Sequence, residues 1–375
     1  MAEHDTWISL DPVIGCPASC AYCYLGTLGL RGTRPQERAS PKQAAKTLRD
    51  YLFGRRAVLV EPRTDGTPLC IRNYTDMLMT PRNRMALAVY VEHVIDVLPN
   101  IRPIVLITKG GVPEELVRIL DSFDWPIIWF FSQSFARDAG MALESGRVAD
   151  FETTLRNAGA VTAAGKQAAV HFWRPFVREL AVTLQDKELV VSRLKESGMS
   201  CSVVVGLKNG PGVPADDPRL AALVPSRSEE ADGLGESFDR AAWRQVATIA
   251  RGLQYPLYRH SSCAIALNRK VREYLGTWRS GMRQSRCLPC SCPARQRGRC
   301  GRPGTTPDPS PWHSRLCEFL ELDPGLVAYD GETGRFHVDA DVSEFDYNTI
   351  LHAANGYHSV SFRSVIPQKA WPGPW

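Results

Sequence analysis

The residues of this 375-residue chain best suited to chemistry are its eleven cysteines, and they are unevenly spread. Cys16, Cys20 and Cys23 crowd near the start, Cys287, Cys290, Cys292 and Cys300 crowd near the end, and Cys70, Cys201, Cys263 and Cys317 stand alone. An odd number of thiols cannot pair completely, and disulfides are rare in intracellular chains, so ligation of metal is the use to test first. The first group is a C-x3-C-x2-C run, Gly15-Cys16-Pro17-Ala18-Ser19-Cys20-Ala21-Tyr22-Cys23-Tyr24. Three thiolates at this spacing cap one face of a four-iron cluster and leave the fourth iron without a protein ligand. An open coordination site implies chemistry on an exogenous ligand. The other reading is a three-cysteine zinc site completed by a distant His, although zinc modules usually carry paired spacings. The second group is C-x2-C-x-C-x7-C, and its spacing suits either zinc or a second iron–sulfur cluster. Cys263 or Cys317 could replace one of its four members. Arg295, Arg297, Arg299 and Arg302 beside it would offset thiolate charge, hold an acidic substrate group, or form a solvated loop.

The elements that must position these groups follow from apolar patterning. Apolar, β-rich runs at Trp7–Ile14, Pro68–Asn73, Pro103–Thr108, Pro126–Phe131, Ala168–Trp173 and Cys201–Leu207 alternate with segments of helical spacing at Pro41–Tyr51, Pro81–Leu98, Pro113–Leu120, Phe151–Ala158 and Lys187–Ser197. Ala57–Val60 would extend the second strand or add an edge. Such alternation predicts an α/β fold, a partial (β/α)6 TIM-type barrel with a Cys-rich C-terminal extension. Reactive groups then belong on the loops that follow the strands, where the first cysteine run lies. Asn209–Ser237 reads as a long loop, Phe238–Leu253 as a helix, Gly301–Pro311 as a linker and Ser314–Leu320 as a short helix. The expected divisions are 1–215 for the barrel, 216–256 for a loop and linking helix, 257–310 for the Cys-rich auxiliary-cluster region and 311–375 for a substrate-covering segment.

The cysteine run on the loop after the first strand resembles the radical SAM superfamily. Together with Asn73-Tyr74-Thr75-Asp76 it resembles the spore-photoproduct-lyase-like branch, and more distantly radical SAM enzymes that tailor carbohydrates and aminoglycosides, epimerases among them. The resemblance implies a [4Fe-4S] cluster on Cys16, Cys20 and Cys23 whose free iron is chelated by S-adenosylmethionine (SAM), and reductive cleavage to methionine and a 5′-deoxyadenosyl radical. It also implies an auxiliary [4Fe-4S] cluster, with zinc as the alternative, on Cys287, Cys290, Cys292 and Cys300. Asn73 and Asp76 stand where the family carries a Gly-Gly-Glu-like segment for the methionyl amine, and depart from that pattern. Ser132 and Ser134 stand where polar groups meet the ribose, Arg174 where a basic side chain meets the SAM carboxylate, and Tyr22 beside the adenine. Lys109 ends the third strand and is expected to face the site. For each of these polar residues a helix cap or surface ion pair is the plain alternative.

The resemblance implies hydrogen abstraction from carbon, most simply from a carbohydrate-containing small molecule of the antibiotic-biosynthesis kind. An epimerase needs a hydrogen-atom donor on the face opposite the radical, and a thiol suits because its S–H bond is weak. Cys263, in Tyr258-Arg259-His260-Ser261-Ser262-Cys263, is the first candidate, with Cys201, Cys70 and Cys317 as alternatives; a buried Cys is also a common small apolar residue. Dehydration, oxidation or DNA lesion repair are the competing reactions, and a zinc-stapled binding module is the non-enzymatic alternative. His352, Asn355, Tyr357, His358 and the tryptophans of the tail could stack on sugar rings or belong to a core. The expected partners are a glycoside and a flavodoxin- or ferredoxin-type reductant. A net charge of +5, from 45 basic and 40 acidic residues, is too dilute to argue for nucleic acid. With 44% apolar and 23% charged residues the chain reads as globular. No run reaches membrane-spanning length, and Met1-Ala2-Glu3-His4-Asp5 has no signal-peptide pattern, so a cytoplasmic location is expected.

Overall fold

A computed structural model of the chain describes residues 1–180, 184–208, 217–223, 236–276, 291–301 and 308–367. Its first strands are β1 (Ala2–Glu3), β2 (Ile8–Leu10), β3 (Val13–Ile14), β4 (Gln36–Glu37), β5 (Leu69–Ile71), β6 (Ile104–Thr108), β7 (Ile127–Gln133), β8 (Gln167–Trp173), β9 (Ser202–Val204), β10 (Leu207–Lys208), β11 (Glu236–Ser237) and β12 (Leu257–Tyr258). Between and after them run helices α1 (Pro41–Phe53), α2 (Pro81–Val97), α3 (Glu114–Ser122), α4 (Phe151–Ala163), α5 (Leu184–Glu196), α6 (Arg240–Gly252) and α7 (Ser261–Arg269). The helix starts follow from local chemistry. Ser40 and Gln43 form a reciprocal capping box on α1, whose first residue is Pro41. Thr80, Asp150 and Asp239 accept from the first-turn amides of α2, α4 and α6.

One eight-stranded sheet has the order β1-β2-β5-β6-β7-β8-β9-β12. Every pairing from β2 to β12 is parallel, and β1 lies antiparallel on the edge. Strands covered on both faces read as unbroken apolar runs, as Ile127-Ile128-Trp129-Phe130-Phe131 does. The outward face, with Leu69, Leu106, Trp129 and Phe131, packs against the helices. The inward face gathers Cys70, Val105, Phe130, Phe172, Val203 and Tyr258 into a second cluster with Trp7. The sheet is curled. With strands about 4.8 Å apart, β2 and β12 in a flat sheet would be roughly 29 Å apart. Yet Asp5, just before β2, lies 3.3 Å from His260, just after β12. The result is a partial barrel closed by side chains on its open side.

The expected α/β partial barrel is therefore present, with differences in detail. The run Trp7–Ile14 splits, because after β2 the chain turns and β3 pairs antiparallel with β4. Ala57–Val60 is not a strand: Arg55–Val58 is a 3-10 turn. Its apolar side chains are used elsewhere, since Val58, Leu59 and Val60 pack on the C-terminal core. Cys201–Leu207 breaks into β9 and β10, the latter pairing with β11. β12 adds a parallel strand beyond the expected barrel limit at residue 215. Of the expected Cys-rich region, β12 and α7 belong to the barrel, and residues 277–290 lie outside the described residues. A short helix α8 (Ala294–Cys300) follows.

The C-terminal unit comprises α9 (Pro309–Leu320), β13 (Val327–Asp330), β14 (Arg335–Ser343), α10 (Glu344–Ala354) and β15 (Ser359–Ile366). β13 and β14 form a hairpin, and β15 returns parallel to β14 after α10. This unit meets the amino end of the barrel strands through a buried ionic network. Glu3 pairs with Arg56, and Asp65 lies 3.3 Å from Arg56 and 2.9 Å from Arg102. His352 of α10 lies 2.8 Å from the Glu3 carboxylate. Asn348 donates to the Glu3 carbonyl at 3.0 Å. Among the described residues no helix is long and apolar enough to cross a membrane.

Candidate active site

At the carboxyl end of the strands an open cleft with about 820 Å³ of empty space is lined by Cys16, Cys20 and Cys23 and by residues that end β5, β6, β7 and β8. The cysteine loop is built into the barrel. Gly15 has φ +92°, and a Cβ there would lie 2.7 Å from Thr33 Oγ1, so only glycine fits the turn into Cys16. The Cys16 amide donates to Leu30 O at 2.9 Å, Ala21 N donates to Leu143 O at 2.8 Å, and Thr75 Oγ1 donates to Gly15 O at 2.5 Å. Arg31 donates to Ala21 O at 2.8 Å while paired with Asp217 at 2.9 Å.

Burial pushes the Cys16 and Cys20 thiols up to about 12 and raises Cys23 as well. They become thiolates only when a cation is brought to them, as an iron–sulfur cluster would do. Among the described residues no three His, Cys, Asp or Glu side chains converge closely enough to share a single metal ion. A four-iron cluster places each thiolate on a different iron, and three thiols spread along one cleft wall fit that demand.

The expected cofactor contacts divide. Tyr22, Asn73, Asp76, Ser132 and Arg174 all line the cleft with the cysteines, as does Lys109. Tyr22 donates its hydroxyl to Glu144. The Asn73 carbonyl accepts from Tyr24 Oη at 2.7 Å. Asp76 is half-buried, desolvation raises its carboxyl, and it accepts from Thr108 Oγ1 at 2.8 Å, Leu78 N at 3.0 Å and Lys109 N at 2.6 Å. It therefore ties the ends of β5 and β6 together. Arg174 sits 5.9 Å over the Tyr24 ring and 5.7 Å over Phe172, with no carboxylate partner among the described residues. Ser134 is different. It is buried outside the cleft lining, and its hydroxyl accepts from Ala136 N at 3.1 Å, which caps the turn after β7.

Cys263 does not join the cleft either. It lies on α7 and packs against the inward cluster, whose members Ile107 and Phe172 also line the cleft. Cys292 packs on the same cluster, 3.6 Å from the Tyr258 hydroxyl. Cys300 is buried on α8, 3.5 Å from Gln296 Nε2. Cys287, Cys290 and Arg302 lie outside the described residues. Cys70 and Cys201 are buried in the inward cluster, and Cys317 is in the C-terminal core.

The residue that sequence reasoning missed is Glu144, on the loop between β7 and α4. It lies 3.0 Å from Lys109 Nζ and accepts from Tyr22. Burial alone would raise its carboxyl, but the Lys109 charge and the Tyr22 hydrogen bond lower it. Its only sequence signal was a lone acid on a loop that follows a barrel strand.

The sequence matches no protein-family model and no curated protein. Among solved structures it is similar to a spore photoproduct lyase variant with bound AdoMet and dinucleoside spore photoproduct, at 15% identity and TM-score 0.41, over 65% of this chain and 60% of that one. It is also similar to HydG, a maturase of the [FeFe]-hydrogenase, at 11% identity and TM-score 0.42, over 67% of this chain and 51% of that one. A third is anSMEcpe with bound AdoMet, at 12% identity and TM-score 0.39, over 66% of this chain and 58% of that one.

Proposed function

We propose that this chain is a radical SAM enzyme. The observation that carries the reading is the C-x3-C-x2-C loop standing on the carboxyl end of a parallel partial barrel, its three thiols opening on one cleft. Cys16, Cys20 and Cys23 would hold three irons of a [4Fe-4S] cluster. When bound, the cluster and SAM supply reductive cleavage to methionine and a 5′-deoxyadenosyl radical. Arg174, a guanidinium without a carboxylate partner among the described residues, would take the SAM carboxylate. Asp76 keeps acceptor capacity toward the methionyl amine, and Tyr22, fixed by Glu144, presents its ring to the adenine. An auxiliary cluster on Cys287, Cys290, Cys292 and Cys300 and an electron supply from a flavodoxin- or ferredoxin-type protein belong to the same reading.

The finer reading is hydrogen abstraction from a carbohydrate-containing small molecule, with epimerisation as the outcome and Cys263 as hydrogen-atom donor. Among the described residues the cleft carries no thiol besides the three of the motif, and Cys263 packs on the cluster that shares Ile107 and Phe172 with the cleft lining. Dehydration or oxidation of a sugar would use the same cleft without such a donor.

Anaerobic reconstitution with iron and sulfide, then SAM and dithionite, tests the first reading. A brown protein with about four irons or more that forms 5′-deoxyadenosine supports it. A colourless protein that leaves SAM intact overturns it. With a glycoside panel in D2O, one deuterium in a product of unchanged composition marks an epimerase, and loss of water or of two hydrogens marks the alternatives.

A further inference from the structure

The loop of residues 134–150, between β7 and α4, is tied both to the cysteine run and to the end of β6. Ala21 N donates to Leu143 O at 2.8 Å, and Ala149 N donates to Lys109 O at 2.7 Å. The Lys109 amide is in turn held by Asp76 Oδ2 at 2.6 Å. These backbone bonds bring three side chains together. Glu144, next to Leu143, accepts on one oxygen, Oε1, from the hydroxyl of Tyr22 and from Lys109 Nζ, the latter at 3.0 Å. Lys109 Nζ also lies 3.4 Å from Ser132 O and 5.3 Å over the Tyr22 ring.

The pair is polarised. Lys109 lines the cleft with the three cysteines and keeps 15% of its side chain exposed, whereas Glu144 is 1% exposed and stands outside the lining. The positive end therefore stands on the cleft wall, and the negative end is buried behind it. The Lys109 charge acts on Cys20 and Cys23, and that of Glu144 acts on Cys20 with the opposite sign. Other charges beside the cysteines are engaged elsewhere: Arg31 is matched to Asp217 at 2.9 Å, and Asp76 is held by Thr108, Leu78 N and Lys109 N. A part-buried pair is screened less by salt than a surface one. The potential of an iron–sulfur cluster follows the net charge around it, and a nearby cation favours the reduced form.

We propose that Lys109 and Glu144 together set the reduction potential of the [4Fe-4S] cluster on Cys16, Cys20 and Cys23, a role that rests on the radical SAM reading. The ammonium raises the potential, and the carboxylate behind it limits that rise. Tyr22 is the third member, whose hydrogen bond fixes the carboxylate in place.

Anaerobic redox titration of the reconstituted full chain tests it, followed through the EPR signal that Cys16→Ser lacks. Lys109→Gln should lower the midpoint potential and Glu144→Gln should raise it. Each shift should be about tenfold in the reduced-to-oxidised ratio at fixed potential, or about 59 mV for one electron. That is the scale of a unit charge acting over about 10 Å at an effective dielectric of about 20. Lys109→Arg keeps the charge and should keep the parent potential, and the Lys109→Gln, Glu144→Gln double variant should fall between the two single ones. Iron per chain should match the parent in all four. In urea unfolding of the apo chain the double variant should lose less than the two single losses combined, because each single variant strands the charge of the other residue. The proposal falls if both single variants shift the potential the same way or not at all, if Lys109→Arg behaves as Lys109→Gln does, or if the urea losses are additive. Loss of iron from all of the Lys109 and Glu144 variants overturns it too, since the pair would then be a structural prop. A parent chain that takes up no iron overturns the radical SAM reading itself, and the proposal with it.

Discussion

Glu3 and Asp65 at the amino end of the barrel strands and Asp11 and Asp76 at the carboxyl end are desolvated acids treated in opposite ways. At the amino end Glu3 and Asp65 face Arg56 and Arg102. Burial alone would raise the Asp65 carboxyl, but the two arginines hold it well below the usual range, and Glu3 is lowered in the same manner. At the carboxyl end burial lifts the Asp11 carboxyl to about 6, outweighing the hydrogen bonds from Ser9 Oγ and Tyr74 N, the latter at 2.8 Å, and the charge of the Met1 amino group. Asp76 is raised for the same reason. One end is charge-balanced within the chain and serves cohesion. The other pairs Glu144 with Lys109 but leaves Asp11 and Asp76 raised by burial, and Arg174 has no carboxylate partner among the described residues, a polarity that a charged zwitterionic ligand would complete.

The contrast can be broken in several places. The largest effect belongs to the cysteine loop: Cys16→Ser should lose bound iron and lower 5′-deoxyadenosine formation by about a thousandfold or more, with the melting temperature of the apo chain little changed. Iron content and radical yield equal to the parent would detach Cys16 from the cluster. Next comes the amino end, where Asp65→Asn leaves Arg102 without its carboxylate. A loss of about 3–5 kcal/mol in urea unfolding is expected, with iron per folded chain unchanged. Gly15→Ala should cost about 1–3 kcal/mol and reduce cluster occupancy, because a positive φ and the Thr33 contact resist a methyl group. Retention of iron at parent level by this variant would show that the loop accommodates the strain.

The smallest effect is the most diagnostic of the comparison. Asp65 has a depressed folded pKa, so its stabilisation is complete above the unfolded value near 4 and is lost as pH falls through the folded one. Asp11 has a raised folded pKa, so the fold binds its proton more tightly, and stability falls as pH rises from about 4 to about 6. Asp11→Asn should remove that second slope and raise the melting temperature at pH 7 by a few degrees relative to pH 4. Asp65→Asn should instead flatten the acid limb below about pH 4. Identical pH profiles in both variants would erase the difference between the two ends.

Much of the barrel was legible from sequence because its signals are local. Apolar runs in β6, β7 and β8, Pro and Ser or Thr at helix starts, and a cysteine spacing tied to one loop need no knowledge of distant contacts. β12 was not legible: a strand of two residues, Leu257–Tyr258, carries no pattern and exists only by pairing with β9. Ala57–Val60 misled because apolar character alone does not say which surface will use it. Within the site, position at or just beyond the carboxyl end of a strand was enough to place Arg174, Asp76 and Ser132 in the cleft lining. For Ser134 it was not, because it lies beyond the end of β7 and its hydroxyl caps the turn that follows. Glu144 gained its place from a contact with Lys109 across 35 residues, invisible before folding.

The contact between Asp5 and His260 gives the open side of the barrel a seam of side chains where a closed barrel would have a ladder of backbone bonds. Asp5 is exposed, and the His260 hydrogen bond and charge hold its carboxyl well below the carboxylate range. A seam of that kind can part without unzipping any pair of strands. Amides of β2 and β12 should therefore exchange their hydrogens with solvent well before those of β7 and β8, and breathing should spread inward from that line.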